Sequence, residues 1–470
     1  MNVNPKVNLE LNCDHFMFAP ARYVVETIFT YVSASNAIDS VNILYSPKKY
    51  KGFDGIWIRI SDDALKYFSN PIVLPKFTKC SVGGVMLDLP FHCGGEESLL
   101  CNYDVIAICF FYLSQYHEYK PKRESNHFRT EFKDSIFNGL LSIDQPVITL
   151  LINDLFKKSI YRDSLNVNNL YNSNFQIALT HDVDFIPLNR WHGFLRAFKN
   201  ITIEVILRKK ILSSIAMFFR LIWRFISFKP ILDNIISLTH KEMALNLRSC
   251  FLFVPNGKHR KDPVYTLDDT KLNEIFKWLI KNDFEIGVHY SYASGANVGQ
   301  IINECSLLSN LVGTVTTGRQ HYLNLQLPFF YSDLQQTNIN CDMSIAYTPV
   351  VGYKTGFDRP HRSWDFDNWK PSSVINLPLL YFDTTFSDMP DSDVAKCIDK
   401  FLDQNSNLGS TVSLLWHDSQ FDDLQTSSMK KFFFDLIHCA NLLGCDFKLP
   451  RDITKQFLHA ESKLSIKAIN

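Results

Sequence analysis

The chain of 470 residues has no excess charge of either sign: 48 basic residues balance 48 acidic ones. Nothing in its global field points to nucleic acid, so any electrostatic recognition has to be local. Its 11 cysteines are scattered with no CxxC pair, which argues against a thiolate zinc site. The opening Met1-Asn2-Val3-Asn4-Pro5-Lys6 lacks the basic-then-apolar order of a secretory signal, so a reducing cytoplasm is the expected setting. There is no internal repeat and no low-complexity tract. A clean membrane span is missing too. The apolar stretch 211–228 is slightly short for one and carries Arg220 and Arg224, four apart and so on one helix face.

What is present is 46% hydrophobic content in a length that suits two or three domains, enough to bury sizeable cores. Residues 1–165 read as a smaller α+β N-terminal domain, with a helix around 21–33, strands at 41–45 and 55–60, glycines at Gly83-Gly84 and Gly94-Gly95, and an apolar helix over 104–119. The polar run 166–174 reads as a linker. Beyond it, strand patterns at 176–184, 249–254, 284–289, 314–317, 374–378 and 411–416, with a helix over 268–281, predict a parallel α/β domain occupying 175–470. A helical insertion near 194–245 interrupts it. Within 194–229, Arg196, Lys199, Arg208, Lys209, Lys210, Arg220, Arg224 and Lys229 face a single acid, Glu204. That stretch suits a helix lying in the interface of an anionic leaflet, or an ordinary excursion packed on its own domain with a solvated basic face.

The chemistry concentrates at predicted strand ends. Gln176-Ile177-Ala178-Leu179-Thr180-His181-Asp182-Val183-Asp184 is an apolar run ending in two carboxylates two residues apart. In extended chain, Asp182 and Asp184 fall on the same side and Val183 on the other. Such a pair repels itself and persists at neutral pH only with a cation or a shared proton. Later strands end at His289, at Arg319 with His321, and at His417. Parallel α/β folds collect functional groups at the C-terminal ends of their strands, so one rim could gather them all. One aspartate and two histidines form a facial ligand set for a divalent metal, and Asp184, His289 and His321 are the candidates. Asp182 is the candidate general base and His417 the acid for the leaving group. Each histidine alone would more often be structural; their joint placement at successive strand ends carries the reading.

These segments resemble the polysaccharide deacetylase family, of NodB or carbohydrate esterase family 4 type. Thr180-His181-Asp182-Val183-Asp184 is similar to its first motif. Gly287-Val288-His289-Tyr290-Ser291-Tyr292-Ala293 is similar to its His-Ser/Thr-x-x-His segment, with Ala293 where the second histidine belongs. Arg319-Gln320-His321-Tyr322 is similar to its Arg-x-Pro-Tyr/Phe segment, with His321 proposed to fill that vacancy, and Leu414-Leu415-Trp416-His417 to its last. The front of the chain, through Phe110 to Tyr119, and the Gly352-Tyr353-Lys354-Thr355-Gly356 and Arg359-Pro360 runs resemble a bacterial group of these proteins with an extra N-terminal domain.

The resemblance implies a distorted (β/α) barrel, a divalent metal with zinc first in line, and hydrolysis of an acetamide on a carbohydrate during synthesis of a cell-surface glycan. It further implies that Arg319 fixes Asp182 and that the backbone N–H of Tyr322 stabilises the oxyanion. Lys354 and Arg359 are candidates for an anionic sugar or diphosphate, or for a solvated loop; Trp364 and Trp369 are candidates for sugar stacking, or for core. The expected location is the cytoplasm or, through 194–229, the inner face of the membrane. The alternatives are a catalytically silent carbohydrate-binding protein of the same fold and a hydrolase of a small non-sugar amide.

Overall fold

The computed structural model describes residues 6–34, 40–69, 75–94, 100–119, 128–166, 175–187, 189–206, 211–228, 234–348, 350–386, 389–422 and 428–469. Among them, ten strands form the main sheet. Its spatial order is His361–Asp365, Lys370–Asn376, Cys341–Asp342, Thr317–Gln320, Glu285–Tyr290, Cys250–Phe253, Gln176–Val183, Thr411–Leu415 and Leu379–Phe382, with Asp446–Phe447 also pairing to Gln176–Val183. All pairings are parallel except that of His361–Asp365 with Lys370–Asn376. This mixed α/β sheet is compatible with the expected distorted barrel. The strand expected at 314–317 forms three residues later, at Thr317–Gln320.

Gln176–Val183 is buried at every position, as a strand covered on both faces must be. The covering helices have local reasons to start and stop. Asp269 caps Thr270–Lys281 by accepting the Lys271 N–H at 2.8 Å, and Asn297 caps Val298–Val312 by accepting that of Gln300 at 3.1 Å. Gly313, at φ 87°, ends the second of these helices.

The N-terminal module departs from the expected α+β arrangement. Its sheet runs Ser465–Ile469, Lys6–Leu11, Ser40–Ser46, Ile56–Arg59, and every pairing is parallel. Parallel neighbours need a crossover, and Phe18–Phe29 supplies one between Lys6–Leu11 and Ser40–Ser46. An antiparallel hairpin, Thr78–Val82 with Val85–Leu89, stands apart from this sheet. The strand Ser465–Ile469 lies far along the chain from its partner Lys6–Leu11, so this sheet joins segments distant in sequence.

The helix Val105–Ser114 is buried along its whole length, capped by Asp104 through the Ala107 N–H at 2.9 Å. Phe110 packs edge-on against Trp364 at 4.9 Å, so the N-terminal core continues onto the edge of the main sheet. The Tyr31 hydroxyl donates to the Pro360 carbonyl (2.6 Å) and the Trp369 indole to that of Phe16 (2.8 Å).

This packing decides four readings that the sequence left open. Trp364 is core, the commoner fate of tryptophan, and the partly buried Trp369 is held against the N-terminal module by its indole N–H. Buried Lys354 pairs with Glu118 at 3.0 Å, and buried Arg359 with Asp358 at 2.7 Å, so both cations are neutralised inside the protein. The insertion is a helical hairpin, Arg190–Ile206 and Ile211–Ile226. Most of the expected linker (167–174) and Arg208, Lys209, Lys210 and Lys229 lie outside the described residues. Among the described residues, no helix is long and apolar enough to cross a membrane.

Candidate metal centre

Because the central strands are parallel, their C-terminal ends share one rim, and the register sets His289 beside Arg319 on adjacent strands. Gly318 precedes Arg319 for a steric reason. A Cβ there would stand 2.0 Å from the Tyr290 hydroxyl, so glycine at this point leaves room for the buried Tyr290 ring. The Arg319 side chain is fully buried and runs under the rim. It donates to Asp182 Oδ1 at 2.6 Å, to the Thr180 hydroxyl at 2.8 Å and to the Met343 carbonyl at 3.2 Å.

Asp182 Oδ2 then faces His289 Nε2 at 3.5 Å. Asp184 Oδ1 lies 3.7 Å from His289 Nε2 and 3.5 Å from His321 Nε2, while its Oδ2 lies 3.5 Å from His417 Nε2. These groups line a cavity of about 290 Å³ with Arg129 and Tyr322 at its side and an apolar wall of Leu323, Leu379 and Leu415. A larger groove of about 620 Å³ lies elsewhere; two of its cations, Arg22 and Arg362, are paired with Glu26 and Glu461, and Lys370 also lines it.

The donor set fits a divalent cation. Asp184 Oδ1 is buried and has no hydrogen-bond partner, a costly state unless something positive meets it. His289 Nδ1 lies 3.0 Å from the Arg319 carbonyl and His321 Nδ1 3.1 Å from Asp262 Oδ1. A carbonyl can only accept, so the His289 proton sits on Nδ1 and its Nε2 lone pair faces the space between Asp182 and Asp184; the Asp262 carboxylate sets the same tautomer for His321. Donor atoms bound to one ion at about 2.1 Å stand roughly 3.0–3.4 Å apart. The separations of 3.5 and 3.7 Å are only slightly wider than that.

Electrostatics divide the remaining groups into a charged base and a charged acid. Burial pushes the Asp182 carboxyl up, but Arg319, with His289 and His417 beyond it, outweighs that and holds it at about 2. Burial likewise pushes His417 down, but Asp383, 2.7 Å from its Nδ1, and then Asp184 and Asp182 raise it to about 10. Burial keeps His289 below its ordinary value, against the pull of Asp182, and so favours the neutral form that binds a metal. Asp262 is also buried, yet His321 and the N–H groups of Tyr292 and His259 draw its carboxyl below the usual range.

The structure thus brings together Asp182, Asp184, His289, Arg319, His321, Tyr322 and His417. It adds residues that the sequence reading missed. Asp383, which orients His417, directly follows the strand Leu379–Phe382 and stands at a strand end as Asp182 does, a signal open to the same reasoning. Asp262 sits in a loop with no pattern around it, and Arg129 reaches the cavity from the N-terminal part of the chain by donating to the Tyr322 carbonyl. His181, inside the first motif, faces the other way; its ring nitrogens meet the Trp416 carbonyl at 2.6 Å and Glu242 at 3.0 Å, which makes it structural.

Residues 13–160 match DUF7033, a family of unknown function. No curated protein matches the chain. Among solved structures, the chain is similar to the polysaccharide deacetylase Bc1974 from Bacillus cereus, at 10% identity and a TM-score of 0.27, over 58% of this chain and 91% of that one. At that TM-score the likeness adds nothing to the reading of the site, which stands on its own geometry.

Proposed function

We propose that the chain is a metal-dependent hydrolase that removes an acetyl group from an N-acetylated sugar of a cell-surface glycan or its precursor. The observation that carries this reading is the convergence of Asp184, His289 and His321 on one point between an ionised acid, Asp182, and a protonated histidine, His417. A divalent cation, zinc first in line, supplies Lewis-acid chemistry when held there, acidifying water and polarising a carbonyl.

The chain's own residues do the rest. Arg319 occupies Asp182 Oδ1 and leaves Oδ2 free to accept the proton of a water in the cavity. A carboxylate held at about 2 is a weak base, so its contribution depends on that water being acidified; what Arg319 provides is orientation. Water oxygen bonds to the acetyl carbon, the C–N bond breaks, and the amine nitrogen takes its proton from His417 Nε2, the Nδ1 being committed to Asp383. The backbone N–H of Tyr322 is the assigned oxyanion donor. The leucine wall suits the acetyl methyl, and the half-exposed Tyr322 ring suits the face of a sugar.

The test is to load purified protein with zinc, cobalt or manganese, measure the bound metal, and follow acetate release from N-acetylglucosamine oligomers and from acetylated amides without a sugar. Stoichiometric metal lost in His289→Ala and His321→Ala, with acetate released from the sugars and abolished in Asp182→Asn, is the expected result. No metal in the wild type after reconstitution, or oligosaccharide binding unchanged by Asp182→Asn without any turnover, would replace this reading with a silent binding protein. Acetate from the non-sugar amides alone would move the substrate class.

A further inference from the structure

Residues 190–229 hold nine basic side chains and one acid in a chain whose total charges cancel, so the rest of the chain carries 39 basic residues against 47 acidic ones. The two helices they form close on each other through buried Ala197, Ile201, Met217 and Leu221. That seam uses one side of each helix, yet apolar residues continue around the outside. On the first helix Trp191, Leu195 and Phe198 are 62%, 60% and 46% exposed; on the second, Leu212, Phe219 and Trp223 are 85%, 67% and 54% exposed. Both sets follow helical spacing, so each is a stripe. Ring contacts between Trp191 and Phe225 (4.8 Å) and between Phe198 and Phe218 (6.2 Å) join the stripes into one apolar face.

The charges follow that face in step. Arg196 and Lys199 come one residue after Leu195 and Phe198, and Arg220 one residue after Phe219, while Arg224 turns inward to Asp422. On each helix basic charge therefore lies about 100° around from the apolar row. An apolar stripe flanked by cations, on helices that cannot span, is the pattern of a segment lying in a headgroup region.

We infer that this hairpin docks on an anionic membrane surface, with its apolar face at the level of the acyl chains and its basic side chains on the headgroups. Charge selects this occupant over a second copy of the same hairpin, because two segments that each carry nine basic residues and one acid repel each other face to face, whereas an anionic leaflet attracts them. The hairpin is rooted at the candidate metal centre. Its first helix starts six residues after Asp184, Phe185 packs against His192 at 5.1 Å with the Arg196 guanidinium over its ring, and Arg224 reaches Asp422 at 3.5 Å. Docking therefore holds the cavity close to the leaflet.

The test is flotation of the full chain with phosphatidylcholine vesicles, with and without phosphatidylglycerol. The protein should float with the anionic vesicles only, and added salt should release it. The Leu212→Ser/Phe219→Ser variant should lose binding, and Arg196→Gln/Lys199→Gln/Arg220→Gln should weaken it on the order of a hundredfold, at about fivefold per charge. None of these positions is in the seam, so unchanged thermal unfolding will show that both variants fold. Absence of the wild type from the anionic vesicles, or equal binding by the double serine variant, would overturn the proposal. So would a dimer in sedimentation that Phe219→Ser dissociates, since a second copy would then cover the face. No turnover is read, so this result is independent of the proposed reaction.

Discussion

Replacing Arg319 by Met keeps the length of the side chain and removes its charge, and the consequence for Asp182 can be worked through. Held at about 2 against an ordinary value of 3.8, the ionised carboxyl contributes roughly 2 kcal/mol of stability. Because the folded value is depressed, that contribution is complete above about pH 4 and is lost as pH falls through about 2. Without Arg319 the same buried carboxylate loses its bonded cation and keeps only the more distant His417, and breaking such a pair costs about 3–5 kcal/mol. The protein has one escape, which is to bind a proton on Asp182. That caps the carboxyl's share at the cost of protonating an ordinary aspartate, about 4 kcal/mol at pH 7 but less than about 2 kcal/mol at pH 5. The penalty of Arg319→Met should therefore shrink by about 2–3 kcal/mol on going from pH 7 to pH 5. The lost bonds to Thr180 and Met343 add a part that does not depend on pH. The assay is denaturant unfolding of both proteins with chelator present, so that no metal ion substitutes for the guanidinium. Adding Asp182→Asn to the Arg319→Met protein should restore more than half the loss at pH 7. A penalty equal at the two pH values, or a double variant no better than the sum of the singles, would refute the reasoning.

Asp383→Asn should remove the main influence that raises His417 to about 10, so the alkaline limb of any turnover should move towards neutral pH and kcat should fall; a pH–rate profile unchanged in its alkaline limb would count against His417 as the acid. Burial raises the Asp342 carboxyl to about 7, so its stabilising share is complete below about pH 4 and is lost as pH rises through about 7; Asp342→Asn should flatten that fall, on the order of 4 kcal/mol, in denaturant midpoints measured from pH 4 to pH 8, and identical slopes in the two proteins would show that the group titrates normally.

The main sheet was legible because its strands are buried on both faces and so appear as unbroken apolar runs. The strand Gln176–Val183, which carries Asp182, is buried at all eight of its positions. Two carboxylates at alternate positions, and histidines just inside or after later strands, follow from the same periodicity, which is why seven side chains named from sequence line or adjoin one rim. What sequence could not supply was the partner of each polar group. Lys354 and Arg359 look like ligand-binding loop cations until Glu118 and Asp358 are found beside them, and those pairings depend on how two distant segments pack. Trp364 and Trp369 were ambiguous for the same reason, since Phe110 and Phe16, which hold them, lie more than 200 residues away in the chain. The strand Ser465–Ile469 had no readable destination: its residues are mostly exposed, and only its pairing with Lys6–Leu11 defines it.

Ala293 stands where the resembled motif has its second histidine, and the structure gives a physical account of how the donor set closes without it. The loop that would have carried that histidine has a different job here. Its Tyr292 N–H donates to Asp262 Oδ1 at 2.7 Å, and the same oxygen holds His321 Nδ1 at 3.1 Å. Lys258 and His259 fix Asp262 Oδ2 from the other side through their N–H groups, at 3.1 and 2.9 Å. A carboxylate with this many donors stays ionised and immobile, so His321 is held in one tautomer with Nε2 towards Asp184. The same Tyr292 ring packs against Tyr322, the residue that turns the chain at φ 57° directly after His321. The segment that carries Ala293 thus positions His321, and under the proposed function a donor one strand along the rim still meets Asp184 Oδ1, since neighbouring parallel strands end at the same level.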